Sequence, residues 1–192
     1  MVTSLREIYQ LKIQLNDIRP PIWRRLLISS TSSLEDFHHT IQIVMGWTNS
    51  HLHQFVCGSS RYGNIDPEFD IDPGFTLHDE INFRVKDLLK KEDDSILYEY
   101  DFGDGWEHKI TLEKILPYKK NQTLPFCIKG KRACPPEEVG GVFGYFDFLE
   151  KWSNEAHPEY KDMREWAGDH FESESFSPSE TNEILREVFT RT

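Results

Sequence analysis

The sequence predicts an α+β fold in one domain spanning residues 1–192: a mainly antiparallel sheet built from hairpins and packed against several helices. Period-two apolar runs pair across turn residues, and helix-period runs carry their own start and stop signals. The composition, 38% hydrophobic and 29% charged, is that of a globular chain rather than a disordered one. A length of 192 residues buries a continuous core without staples, although two small domains would also fit.

From Tyr9 to Leu15 the apolar Tyr9, Leu11, Ile13 and Leu15 alternate with Gln10, Lys12 and Gln14, the pattern of a half-buried strand. Ile22 to Ile28 is its expected hairpin partner. Asp17-Ile18-Arg19-Pro20-Pro21 makes the turn, because two prolines cannot donate to a central ladder. A helix follows. Ser32 and Glu35 have capping-box spacing, Leu34, Phe37, Ile41, Val44 and Met45 form its apolar face, and Gly46 suits a left-handed stop. His51 to Cys57 alternates again, with His51, His53, Phe55 and Cys57 on one side. Residues 58–82 show no sustained period and are read as a long loop. A short helix is expected from Arg84 to Lys90.

Between Ile96 and Glu113, Gly103-Asp104-Gly105 separates two strand-like runs, and the choice of register decides every side chain's face. A two-residue loop puts the second run's apolar side chains opposite the first run's acids. A three-residue loop pairs Phe102 with Trp106 and gathers Ile96, Tyr98, Tyr100, Phe102, Trp106, His108, Ile110 and Leu112 on one face. Glu99, Asp101, Glu107, Lys109, Thr111 and Glu113 then share the other, so this register is preferred.

Leu124 to Lys129 reads as a short strand and Gly130 to Gly141 as a structured loop. Three helices are expected after it. Phe143 to Ser153 places Phe146, Leu149 and Trp152 on one side, and Pro158 to Ala167 stops at Gly168. Pro178 to Thr190, capped by Ser177 with Glu180, is expected to bury Ile184, Leu185, Val188 and Phe189.

A net charge of −11 and a pI near 5.2 oppose a phosphate-dominated nucleic-acid interface, which needs Lys and Arg to displace counterions. Arg6 and Glu7 interrupt the amino terminus before any signal-peptide core, and no run approaches the roughly 20 apolar residues of a membrane span. Three cysteines, Cys57, Cys127 and Cys134, do not make a disulfide framework. A cytoplasmic location with free thiols is expected.

Several polar residues sit where a fold alone has little use for them. His51 and His53 on one strand would point two imidazoles the same way, about 7 Å apart, a metal-ligand pair that still lacks a third partner. His38 and His108 either turn toward the same cleft or are core-edge histidines bonded to backbone or tyrosine hydroxyls. At the hairpin tip, Asp101, Asp104 and Glu107 beside Trp106 serve as bases or cation ligands, or simply cap the turn. Asp70-x-Asp72-x-Gly74 lacks the calcium-loop register and reads as a solvated turn.

Pro20-Pro21-Ile22-Trp23-Arg24-Arg25, Phe37-His38, Gly46-Trp47, His51-Leu52-His53-Gln54-Phe55, Tyr98-x-Tyr100-Asp101-Phe102-Gly103-Asp104-x-Trp106-x-His108 and Cys134-Pro135-Pro136-Glu137-x-x-Gly140-Gly141-x-x-Gly144-Tyr145, in this order, resemble the plasmid pRiA4b ORF-3-like family from about residue 7 to residue 189. The resemblance implies a prokaryotic protein with a one-domain α+β fold and brings no established activity. It marks His38, Trp47, His51, His53, Asp101, Asp104, Trp106, His108, Cys134 and Glu137. The family pattern has cysteine where this chain has Val139, which counts here against a thiolate metal site.

The expected function is a non-enzymatic binding or protein-interaction module. Its aromatic and acidic cleft lies between the central hairpin and the His51 to Phe55 strand, and it takes an unknown small ligand or protein partner without a cofactor. Candidate binding residues are His38, Trp47, His51, His53, Asp101, Asp104, Trp106, His108 and Glu137; none is assigned as catalytic or as a metal ligand. The alternatives are a metal-dependent hydrolase or nuclease using those histidines with Asp101, and a plasmid-related DNA-associated factor.

Overall fold

The computed structural model describes residues 6–64, 76–168 and 171–189. Eight strands form one sheet: β1 (Glu7–Leu15), β2 (Trp23–Ser29), β3 (His53–Cys57), β4 (Ser60–Gly63), β5 (Thr76–Asp79), β6 (Ser95–Tyr100), β7 (Trp106–Pro117) and β8 (Phe126–Lys131). Their order is β5-β4-β3-β6-β7-β1-β2-β8. Every pairing is antiparallel except β4 with β5. Among the described residues five α-helices accompany it: α1 (Leu34–Met45), α2 (Val85–Leu88), α3 (Gly141–Ser153), α4 (Tyr160–Ala167) and α5 (Pro178–Phe189). The fold is α+β, and no helix among the described residues is long and apolar enough to cross a membrane.

Period-two patterning sets which face of the sheet is covered. Leu11, Ile13 and Leu15 of β1 are buried while Gln10, Lys12 and Gln14 are half-buried on the other face. Leu11 pairs with Leu26 on one side and Leu112 on the other, so a continuous apolar surface crosses the central strands. α1 covers it with Leu34, Phe37, Ile41, Val44 and Met45, all buried.

Several boundaries differ from expectation. The cap of α1 is Ser33, whose hydroxyl accepts from Asp36 N at 3.0 Å, one residue later than the Ser32–Glu35 pair. Gly46 ends the helix at φ 97°, as its lack of Cβ allows. Residues 58–82 are not all loop, since β4, β5 and a 3-10 turn at Glu80–Asn82 lie there. Asp70-x-Asp72-x-Gly74 falls outside the described residues. β8 starts at Phe126, two residues after the expected start.

The C-terminal helices form where expected but bury other side chains. In α3 the buried rings are Tyr145 and Phe148, while Phe146 is exposed. In α5 Thr181, Asn182 and Leu185 face inward and Ile184 and Val188 are about half exposed. Asn182 explains the rotation: its side chain accepts from Cys127 N at 2.7 Å and donates to Cys127 O at 2.9 Å, docking α5 onto β8 like an added rung of the ladder.

Candidate functional site

The β6–β7 hairpin keeps the expected faces with a different connection. Tyr100 pairs with Trp106, Tyr98 with His108 and Ile96 with Ile110, so all six side chains are buried on one side. The loop is therefore residues 101–105, five residues rather than three. Phe102 leaves the inward face and is 55% exposed. Asp101, expected among the outward acids, turns into the left-handed region at φ 57° and is buried. Its Oδ1 accepts from Gly103 N at 3.0 Å and Asp104 N at 3.3 Å, which compensates the conformational cost locally. Oδ2 then faces His51.

Trp47, Tyr100, Trp106 and His108 form a packed aromatic cluster. Trp47 stacks on Tyr100 at 4.9 Å, and His108 meets Trp47 edge-on at 5.2 Å. Trp47 Nε1 donates to Pro135 O at 3.0 Å, tying the end of α1 to the 133–141 loop. Trp106 and His108 are almost fully enclosed. Burial lowers the His108 pKa to about 4, so the ring is neutral, and with Nδ1 near Tyr98 O at 3.3 Å its Nε2 is buried without a hydrogen-bond partner.

His38 and His53 form a second centre. Their rings lie parallel at 3.4 Å. Gln42 Nε2 donates to the Tyr98 hydroxyl at 3.0 Å, which leaves that hydroxyl to donate to His38 Nδ1 at 2.8 Å. His38 Nε2 then donates to Asn49 Oδ1 at 2.7 Å. This chain fixes one neutral tautomer and uses both ring nitrogens. Burial, then the neighbouring His53, lowers the His38 pKa to about 3. His53 Nε2 pairs with the buried Glu80 carboxylate at 2.9 Å.

A cavity of about 510 Å³ opens beside this centre, its wall including Glu35, His38, His51, His53, Glu80 and Phe102. Sequence reasoning missed Glu80, because residues 58–82 carried no period to place it. It also passed over Asn49 and Gln42, whose roles depend on contacts between separate elements.

His51 precedes β3 rather than joining it, so His51 and His53 do not share the strand alternation expected of them. The His51 ring packs edge-on against Tyr100 at 5.8 Å. Its Nε2 is 2.9 Å from Glu138 Oε1 and 3.7 Å from Asp101 Oδ2. Nε2 makes no aligned hydrogen bond, so these are ion-pair contacts when the ring is charged.

Glu137 accepts from the Tyr100 hydroxyl at 2.6 Å and from Thr48, and Asp104 Oδ2 accepts from Gly140 N at 3.1 Å. These two carboxylates join the 133–141 loop to the hairpin tip. The nine candidates thus divide. His38, His51 and His53 line the histidine cavity, and Trp47 and Glu137 line another. Trp106 and His108 lie in the core, and Asp101 and Asp104 build the tip. Among the described residues no group of three or more His, Cys, Asp or Glu side chains is arranged to hold a metal ion.

Residues 7–180 match the family described as plasmid pRiA4b ORF-3-like protein. The chain is 35% identical over 161 residues to the uncharacterized protein y4hQ of Sinorhizobium fredii (strain NBRC 101917 / NGR234), covering 84% of this chain and 81% of that one. It is similar to the crystal structure of a protein of unknown function, MM3350 from Methanosarcina mazei Go1, with a TM-score of 0.82 and 36% identity. That likeness spans 92% of this chain and 98% of the other. These similarities indicate no specific function.

Proposed function

The chain belongs to the plasmid pRiA4b ORF-3-like family, and from that premise we propose that it is a one-domain, non-enzymatic module binding a small ligand in the histidine cavity. The observation that carries this reading is the paired ring centre of His38 and His53 beside a cavity of about 510 Å³, a volume within the range of small-molecule sites. The hydrogen bonds of His38 are complete and the carboxylate of Glu80 is held by His53, so the polar wall is fixed before a ligand arrives.

Leu52 and Phe102, both more than half exposed, add apolar surface to the same cavity. Amides from Asn49 and Gln54 add hydrogen-bonding capacity. A ligand with an apolar or planar part and a hydrogen-bond donor for Glu80 matches this wall.

The metal-dependent hydrolase reading draws less support. Both ring nitrogens of His38 are taken, and His108 is enclosed away from solvent. The DNA-associated reading has a net charge of −11 against it.

A thermal-shift screen of ring-bearing amines and alcohols against wild type and His53→Ala tests the proposal. The expected result is a compound that raises Tm in wild type, as selective binding to the folded state requires, and leaves the variant unshifted. If no compound shifts wild type at about a hundred times a micromolar Kd, or if the variant responds equally, the reading fails.

A further inference from the structure

A second cavity, of about 500 Å³, lies among the end of α1, the 133–137 segment and the start of α5, and Arg24 forms part of its wall. Arg24 is 1% exposed. Its Nε donates to Val44 O at 2.6 Å, and Nη1 donates to Trp23 O at 3.0 Å and Lys131 O at 3.1 Å. The guanidinium lies 3.8 Å from the centre of the Phe176 ring. These partners satisfy donors without neutralising the charge, and among the described residues no carboxylate lies within ion-pair distance of it.

A buried cation without a counter-charge is costly, and a neutral donor would cap the same carbonyls. The surroundings nonetheless make room for it. The cross-strand partner of Arg24 is Gly130, where a Cβ would stand 2.4 Å from Phe176 and 2.8 Å from Arg24 Cδ. Nη2 makes no hydrogen bond among the described residues. The amino-terminal turn of α5, entered through Ser177, lines the same cavity and adds its own preference for negative charge.

The cavity also carries negative charge of its own. Glu137 is committed to Tyr100 and Thr48. Glu172 and Glu180 are exposed and in no ion pair among the described residues. A multiply charged anion attracted by Arg24 meets two repelling carboxylates, and a simple cation meets Arg24. A ligand bearing both signs satisfies the set.

We propose that this cavity binds a small zwitterion of the amino-acid class, with its carboxylate toward Arg24, its ammonium toward Glu172 and Glu180, and its apolar part against Trp47 and Phe171. The site is separate from the histidine cavity and does not rest on the reading given for it.

Calorimetric titration of the full chain with each of the twenty proteinogenic amino acids tests it, with acetate, phosphate and methylamine as probes that carry charge of one sign only. At least one amino acid is expected to bind saturably and roughly tenfold more tightly than any of the three probes. Because Arg24 also holds three carbonyls, its variants are expected to unfold, so the decisive variant is Glu172→Gln with Glu180→Gln. Both positions are exposed. The pair is expected to melt like wild type and to bind the same amino acid at least about fivefold more weakly. The proposal is overturned if no amino acid binds at about 10 mM or if acetate or phosphate binds as tightly as the best of them. Equal binding by the double variant also overturns it.

Discussion

The imidazoles of His38 and His53 lie face to face, with centroids 3.4 Å apart and planes within 4° of parallel. One ring comes from α1 and the other from β3, so the stack joins helix to sheet. Two positive charges at this spacing would repel, and burial, with the His53 ring beside it, keeps His38 neutral. His39, Glu80 and Tyr98 are titratable groups that face the stack.

Stability should therefore fall on mild acidification. His38, lowered to about 3, and His108, lowered to about 4, bind a proton less readily in the folded chain than at the ordinary histidine value near 6.5. Between these values the unfolded chain takes up protons that the folded chain refuses. The stability from neutral burial is thus complete above about pH 6.5 and is lost as pH falls toward about 4 for His108 and about 3 for His38. Each ring contributes roughly a few kcal/mol over its window. Urea midpoints should be level from about pH 7 to 8 and decline steadily below 6.5. A level midpoint down to pH 5 would show that neither ring is held neutral.

Tyr98→Phe removes one oxygen that serves two buried groups. The hydroxyl accepts from Gln42 and donates to His38, and its loss takes one hydrogen bond from each of two buried side chains. The expected cost is about 1–3 kcal/mol by urea unfolding, the usual penalty for orphaned buried polar groups. A cost below about 0.5 kcal/mol would mean that the network does not form in solution.

The same tyrosine shows what the sequence makes legible. Alternation alone puts Tyr98, Tyr100, Trp106 and His108 on one face, because strand parity is written in every second residue. Loop length is not written that way. Moving the pairing of Trp106 from Phe102 to Tyr100 shifts the register by two and leaves the faces unchanged, so a pattern argument is blind to it. What settles it is Asp101, whose side chain caps its own turn and ends the ladder. The helices α3 and α5 erred for another reason. α3 carries large apolar residues around much of its circumference, and in α5 the inward face is set by Asn182 bonding to Cys127 rather than by hydrophobicity. The histidine centre was legible as residue types but not as a network, since Glu80 lies in a segment without periodicity.

Phe102→Ser separates stability from binding. The ring is 55% exposed and lines the mouth of the histidine cavity, so its removal should change folding stability by no more than about 0.5 kcal/mol. Affinity for any ligand of that cavity should fall by roughly tenfold if the ring covers it. Had Phe102 been an inward member of the ribbon, the same substitution would cost several kcal/mol. The urea midpoint thus tests the register, and the titration tests the site.

The joint between the hairpin tip and the 133–141 loop gives a sharper test, because two glycines with nearly the same φ differ in what surrounds them. Gly141 has φ +68°, and a Cβ there would stand 2.4 Å from the carbonyl oxygen of Asp104. Gly105 has φ +69° with nothing within 4 Å. Gly105→Ala should cost only the left-handed penalty, about 1–2 kcal/mol. Gly141→Ala bears that penalty and must also push the start of α3 off the hairpin tip, which breaks the Gly140 N to Asp104 contact and strains the Glu137–Tyr100 and Glu138–His51 contacts beside it. Its cost in urea unfolding should exceed that of Gly105→Ala by about 1 kcal/mol or more. If the two substitutions cost the same, the loop does not rest against the tip in solution, and the carboxylate contacts to Tyr100 and His51 cannot be what positions those rings.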